Sequence, residues 1–325
     1  MRTKFKSGDN ARGRVGGNAG TCELPLAGND LNLIESVGRF LRIKCRSVRE
    51  LSDSEFLALF DIPSVNALAN NSFNLRSMTA LIEHYRDRVD RGWITAPAHL
   101  ADLGVNTDHL DHAELVARAD QVLNYDLEWS GVPPELSHGG EIDWQKNILQ
   151  NREWLLRLNR HSWWALLGLA YQRTGDERYA MAFARQMSTW IANLDSADAT
   201  EASIWSCGQV ARRLRVSWIP AFGMFFNSPY FNTARKLEML RAIFDQARYL
   251  RRQKTSDNLV FNGGLVCAGI SFPELHESGS WRKTAVDRCW SSLYNGTRKV
   301  TDTENPELRQ SSNLLAFSDR ELATA

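Results

Sequence analysis

In the stretch RLNRHSWWALLGLAYQRTGDERYA, from Arg157 to Ala180, an Asn-Arg-His triplet stands directly before a Trp-Trp pair. Arginine beside tryptophan suits an anionic, ring-shaped ligand. The planar guanidinium donates two parallel hydrogen bonds to a carboxylate or sulfate, and the indole face packs against the axial C–H groups of a sugar. At a period of 3.6, Arg160, Trp163, Trp164, Leu167 and Tyr171 fall on one stripe, with Asn159, Trp163 and Leu166 beside it. The spacing predicts a charged group at the end of an aromatic face. Burying a guanidinium without a partner is costly, so either an acid elsewhere in the fold satisfies it or a ligand does. Two other stretches carry chemistry-bearing residues. DHLDH (Asp108–His112) has the residue types of a metal site, but within a single turn it fits a solvated helix cap better. YLRRQK (Tyr249–Lys254) is a basic helix end, which the helix dipole favours without any ligand.

Charge narrows the partners. Among 325 residues, 39 Lys and Arg face 38 Asp and Glu, for a formal net charge of +1. No global field argues for nucleic acid or for a membrane surface, so affinity for a polyanion must reside in a local patch. The 43% hydrophobic content is sufficient for a sizeable core. Cys22, Cys45, Cys207, Cys267 and Cys289 are odd in number, widely spaced and free of CxxC pairs. That pattern speaks against a disulfide framework or a zinc site, and it leaves them as reduced, mostly packed thiols. No metal and no cofactor is expected. The 11 Trp outnumber the 7 Tyr; most should fill helix interfaces, with a few left to stack on sugar rings.

The elements that must position these residues are helical. Residues 1–28 are rich in Gly, Asn, Arg and Ser without helical period and read as a disordered N-terminus. They are basic, but no apolar h-region follows, so the chain as written shows no export signal. A helical domain is expected over 29–295. Its lead-in contains DLNLIESVGRFLRI, SDSEFLALF with a Ser/Asp cap, LRSMTALIEHYRDRVDR, and DHAELVARADQVL with Asp at its start. A Pro- and Gly-rich loop follows, from Glu128 to Asp143. Beyond it the pattern predicts three helical hairpins: Glu153–Arg173 with Glu177–Leu194, Gly208–Phe226 with Thr233–Gln253, and Leu259–Ser271 with Ser280–Ser292. Each spans roughly 40–50 residues, the period of helical-hairpin arrays and toroids. The expected class is therefore all-α, an incomplete α/α toroid of antiparallel hairpins. Pro220 predicts a kink, and 296–325 reads as an irregular polar tail.

Six segments, in order and spacing, carry a family resemblance. They are IDWQKN (Ile142–Asn147), RLNRHSWW (Arg157–Trp164), AYQRTGDERYA (Ala170–Ala180), IWSCGQVARRLRVSW (Ile204–Trp218), FFNSPYF (Phe225–Phe231), and CAGISFPEL with SWRKTA (Cys267–Leu275, Ser280–Ala285). Together they resemble the N-terminal α/α-toroid domain of the heparinase II/III family, of the heparinase III type that acts on heparan sulfate.

The resemblance implies a polysaccharide lyase that cleaves next to a uronic acid by β-elimination. The C5 proton is barely acidic while the adjacent carboxylate keeps its charge, so hydrogen-bond donors must first neutralise that carboxylate. A tyrosine or histidine then moves the proton. In this family an Asn on the toroid neutralises the carboxylate, a Tyr just beyond these segments transfers the proton, and a His comes from a following β-sandwich. Aligned without gaps, Ser256 and Asp257 stand at the family's Asn-His, with Asn258 two positions on. Asn258 is the candidate for the carboxylate and Tyr294 for proton transfer. The acidic-Ser-Pro-x-Tyr-His run expected after SWRKTA is missing, and so is a β-sandwich. Arg160 and Arg213 match recurrent family arginines, and Trp144, Trp163, Trp164 and Trp205 match recurrent aromatics; with Asn159 they form the expected binding set. The alternative for Arg160 is an internal pair with an acid such as Asp143. Three functional expectations follow: a catalytically incomplete lyase domain for an acidic polysaccharide, a non-catalytic glycan-binding toroid, or a truncated product without stable function.

Overall fold

The computed structural model describes residues 47–69, 75–93, 111–124, 137–138, 141–144, 152–194, 204–253 and 259–300. All lie in one compact unit that begins at Arg46. The expected disordered segment 1–28, the pattern DLNLIESVGRFLRI, Asn258 and residues 301–325 lie outside them.

The lead-in begins with α1 (Asp53–Leu57), set by a capping box in which Ser52 Oγ accepts from Glu55 N at 3.3 Å and Glu55 Oε2 accepts from Ser52 N at 2.8 Å. Two orphan amides at the helix start are thereby satisfied. Next come α2 (Pro63–Ala69) and α3 (Leu75–Gly92). In α3, Met78, Leu81, Ile82 and Tyr85 repeat at helical spacing and are all buried. In α4 (His112–Leu123), Asp111 is the N-cap, its Oδ1 accepting from Glu114 N at 2.7 Å. The last Asp of DHLDH is thus a helix cap. The loop read as irregular holds a small antiparallel pair, β1 (Ser137–His138) with β2 (Glu141–Ile142).

The three hairpins form, with two departures. The first expected helix is broken into α5 (Arg152–Leu158) and α6 (Trp163–Thr174), separated by a turn at 159–162. His161 has φ +56°, a left-handed conformation that breaks the helix, and His is among the few types enriched there. Arg160 is therefore not on the Trp163–Trp164 helix, and the stripe drawn through all three does not exist. Helix α6 ends at Gly175 in the left-handed region (φ +71°), and α7 (Glu177–Leu194) returns.

The second departure is at Pro220. Helix α8 (Cys207–Arg212) passes into a π-helical turn, Arg213–Trp218, in which Ile219 N donates to Leu214 O, five residues back. Helix α9 (Ile219–Met224) then restarts with Pro220 in its first turn, where the missing N–H costs nothing. The wider π turn stands directly before the proline, at the place where the sequence predicts the irregularity. Helix α10 (Thr233–Arg252) pairs back, capped by Asn232 Oδ1 accepting from Arg235 N at 3.1 Å.

The third hairpin is α11 (Leu259–Ser271) and α12 (Ser278–Val300), the latter running five residues past the expected limit at 295. Its FPEL turn ties the lead-in to the hairpins: Asp61 N donates to Glu274 O at 2.7 Å and His276 N to Leu59 O at 3.0 Å. The Glu274 carboxylate pairs with Arg88 at 2.9 Å and with His84 at 2.8 Å. Helix α11 crosses α8 closely, since a Cβ added at Gly264 would come 2.5 Å from Ala211 Cα and 2.8 Å from its carbonyl. The obstacle is backbone, which cannot swing aside. Gly264→Ala should therefore destabilise the protein by about 1–3 kcal/mol through overpacking, despite alanine's better helix propensity. Denaturant titration checks this; an unchanged or raised midpoint would show that the helices separate freely.

Candidate functional site

The Asn159–Ser162 turn is built around an aromatic nest. The His161 ring stacks on Trp164 with centroids 4.2 Å apart and meets Trp144, Trp163, Trp190 and Trp218 at 4.9–6.1 Å. Each indole N–H finds an acceptor. Trp163 and Trp164 both donate to Gln186 Oε1, at 2.8 and 2.9 Å; Trp190 donates to Asn159 Oδ1 at 2.8 Å; Trp218 donates to His161 Nδ1 at 3.0 Å; Trp144 donates to Thr189 Oγ1 at 3.2 Å. Asn159 Nδ2 donates in turn to the carbonyls of Trp144 and Leu155. Burial, together with the charge of Arg213, holds the His161 pKa well below the usual histidine range. The ring is neutral.

This arrangement corrects the groove-lining expectation for five residues. Trp144, Trp163, Trp164, Asn159 and Arg213 are buried, at 0–3% exposure. Enclosed in the protein interior, they leave no surface for a sugar. Arg213 heads the π turn, donating from Nε to Gln246 Oε1 at 2.7 Å and from Nη1 to the carbonyls of Asn159 at 3.0 Å and Ile204 at 3.2 Å. Its Cζ sits 4.8 Å over the Trp190 ring and 5.7 Å over Trp205. It joins three elements from inside.

Arg160 and Trp205 reach the surface. Arg160, 19% exposed in its side chain, donates from Nε to Gln209 Oε1 at 2.7 Å and pairs with Glu153 at 3.1 Å. The internal acid is thus Glu153, not Asp143. Burial pushes the Arg160 pKa down, Glu153 pushes it up, and the neighbouring cations Arg212 and Arg157 push it down again. Arg157 reaches the same carboxylate at 3.4 Å, and Arg212 is exposed. Two guanidiniums therefore share the Glu153 carboxylate, and a third, that of Arg212, lies close enough to act on the charge of Arg160. Half-exposed Trp205 lies one turn before Gln209, its ring 5.3 Å from that of Tyr249. Burial raises the pKa of both the Tyr249 hydroxyl and the Cys207 thiol, which face each other.

Arg157, Arg212, Gln209 and Tyr249 were not singled out from sequence. The adjacent Arg212-Arg213 pair was the available signal: successive residues on a helix point about 100° apart, so two neighbours need not share one environment. Of the two catalytic candidates, Asn258 lies outside the described residues, and Tyr294 falls on α12.

Helical hairpins stacked side by side, with one small β pair among the described residues, define an all-α protein of the α/α-toroid class. The chain belongs to the heparinase II/III family: the family model described as Heparinase II/III N-terminus matches residues 57–296. Among relatives, it is 32% identical to a heparin-sulfate lyase of Pedobacter heparinus over 154 residues, 46% of this chain and 23% of that protein. It is 26% identical to a heparin-sulfate lyase of Bacteroides stercoris over 266 residues, 74% of this chain and 39% of that one. In structure it resembles the heparan sulfate lyase HepC from Pedobacter heparinus (TM-score 0.62, 24% identity, 76% of this chain and 39% of that one). It also resembles a heparinase III structure (TM-score 0.59, 24% identity, 79% and 41%). The chain thus spans 39% or less of the length of the lyases it matches in sequence.

Proposed function

We propose that this chain forms the toroid part of a polysaccharide lyase and holds an acidic, uronic-acid-containing glycan of the heparan sulfate type around Arg157, Arg160 and Arg212. The observation that carries this reading is the local excess of positive charge on a chain of net charge +1. Arg157 and Arg160 share the Glu153 carboxylate, Arg212 acts on the charge of Arg160 from nearby, and half-buried Trp205 precedes the helix that carries Gln209 and Arg212. Membership of a family whose sequence relatives are heparin-sulfate lyases supports this glycan class. In β-elimination, Asn258 would answer the uronate carboxylate and Tyr294 would move the C5 proton. The chain by itself lacks the Tyr-His run that such a proton transfer uses, so it should bind the glycan while turning it over little.

The test is an ultraviolet assay for the unsaturated uronate product on heparan sulfate and on alginate, run beside a binding titration. Binding without robust turnover is expected. Robust turnover that survives Asn258→Ala and Tyr294→Phe would overturn the catalytic assignment, and absence of binding would overturn the proposal as a whole.

A further inference from the structure

Arg213 and His161 both pack against Trp190, and the charge of Arg213 acts on the His161 ring. The Arg213 Cζ lies 4.8 Å from the centre of the indole, and the His161 ring packs edge-to-face on it with centroids 4.9 Å apart. Both side chains are fully buried. Arg213 commits Nε and Nη1 to Gln246, Asn159 and Ile204, but its Nη2 has no partner. The tautomer of His161 follows from Trp218, whose Nε1 can only donate; Nδ1 must accept, so the imidazole proton sits on Nε2. That Nε2 has no partner either.

Two buried groups therefore offer hydrogens, and neither meets an acceptor among the described residues. The acceptors Arg213 does have are all uncharged, and among the described residues it makes no ion pair with a carboxylate. Burial pushes its pKa down to about 9, which still leaves the guanidinium protonated at neutral pH. An uncompensated charge in this position is among the costliest features a core can carry. A neutral ligand would satisfy the hydrogens but not the charge.

We propose that Arg213 Nη2 and His161 Nε2 hold a small monovalent anion of the halide class beside Trp190, as the internal counter-charge of the Asn159–Ser162 turn and the π turn. A carboxylate from the chain itself would have the same chemistry. Asp195, Asp198 and Glu201, which precede Ile204 in sequence and lie outside the described residues, are the sources to be separated from a free ion.

The experiment is a thermal melt of the full chain at constant ionic strength, with gluconate replaced stepwise by chloride or bromide. A saturable rise of about 3–6 °C is expected once the halide reaches about tenfold above its Kd. Arg213→Met and His161→Phe should lose that rise. Should either variant fail to fold, crystals of the wild-type chain grown in bromide give the second readout: an anomalous peak within hydrogen-bonding reach of Arg213 and His161 is expected. The combined variant Asp195→Asn, Asp198→Asn and Glu201→Gln should keep the halide response. A melting temperature indifferent to halide, a bromide map without that peak, or a carboxylate seated on Arg213 would each overturn the proposal.

Discussion

Arg213→Ala is expected to lower the stability of the protein by about 3–5 kcal/mol, a fall in melting temperature of roughly 10 °C for a domain of this size. Two effects add. Removal of the guanidinium leaves the carbonyls of Asn159 and Ile204 and the Gln246 amide oxygen without their donor in the interior, and each buried acceptor so stranded costs about 1–3 kcal/mol. It also opens a void beneath Trp190 and Trp205, whose rings pack on the guanidinium. Calorimetry or a denaturant melt measures the loss. A variant as stable as the wild type would mean that Arg213 is not a structural tie, and would return it to the ligand-binding role expected from its family position.

Much of this architecture was written in the periodicity. The three hairpins and the capped starts at Ser52 and Asp111 follow from apolar spacing and from side chains that can accept a helix-start amide. Two local features were not legible. His161 takes a left-handed backbone inside what reads as continuous helix, and three of the five rings that enclose it, Trp144, Trp190 and Trp218, are supplied by other segments. The π turn at 213–218 likewise has no period of its own, and only the proline after it marks the place. The site was partly legible for the same reason. Residue type identified arginine and tryptophan as the materials of an acidic-glycan site, but burial depends on which face of each helix meets a neighbour. Arg212 and Arg213 are adjacent in sequence, yet one is exposed and the other fully enclosed.

The second large effect concerns binding. Replacing both Arg160 and Arg212 with Ala should weaken the affinity for heparan sulfate oligosaccharides by tenfold or more, since each charge-assisted contact at a half-desolvated surface contributes on the order of 1.5–3 kcal/mol. Stability should change little by comparison. Arg212 is exposed, and Arg160 pairs with Glu153, itself half exposed, so its ion pair contributes at most about 1 kcal/mol. Wild-type affinity should also fall steeply with added salt, because the patch attracts a polyanion through screened charges while the chain as a whole is almost neutral. The double variant should show a shallower salt dependence.

Calorimetric titration of size-defined heparan sulfate oligosaccharides into the wild type and into Arg160→Ala/Arg212→Ala, with a melt of each protein alongside, tests the account most directly. Saturable wild-type binding that drops tenfold or more in the double variant, at nearly equal melting temperatures, is the predicted result. Equal affinities in the two proteins, or no binding to the wild type, would contradict it.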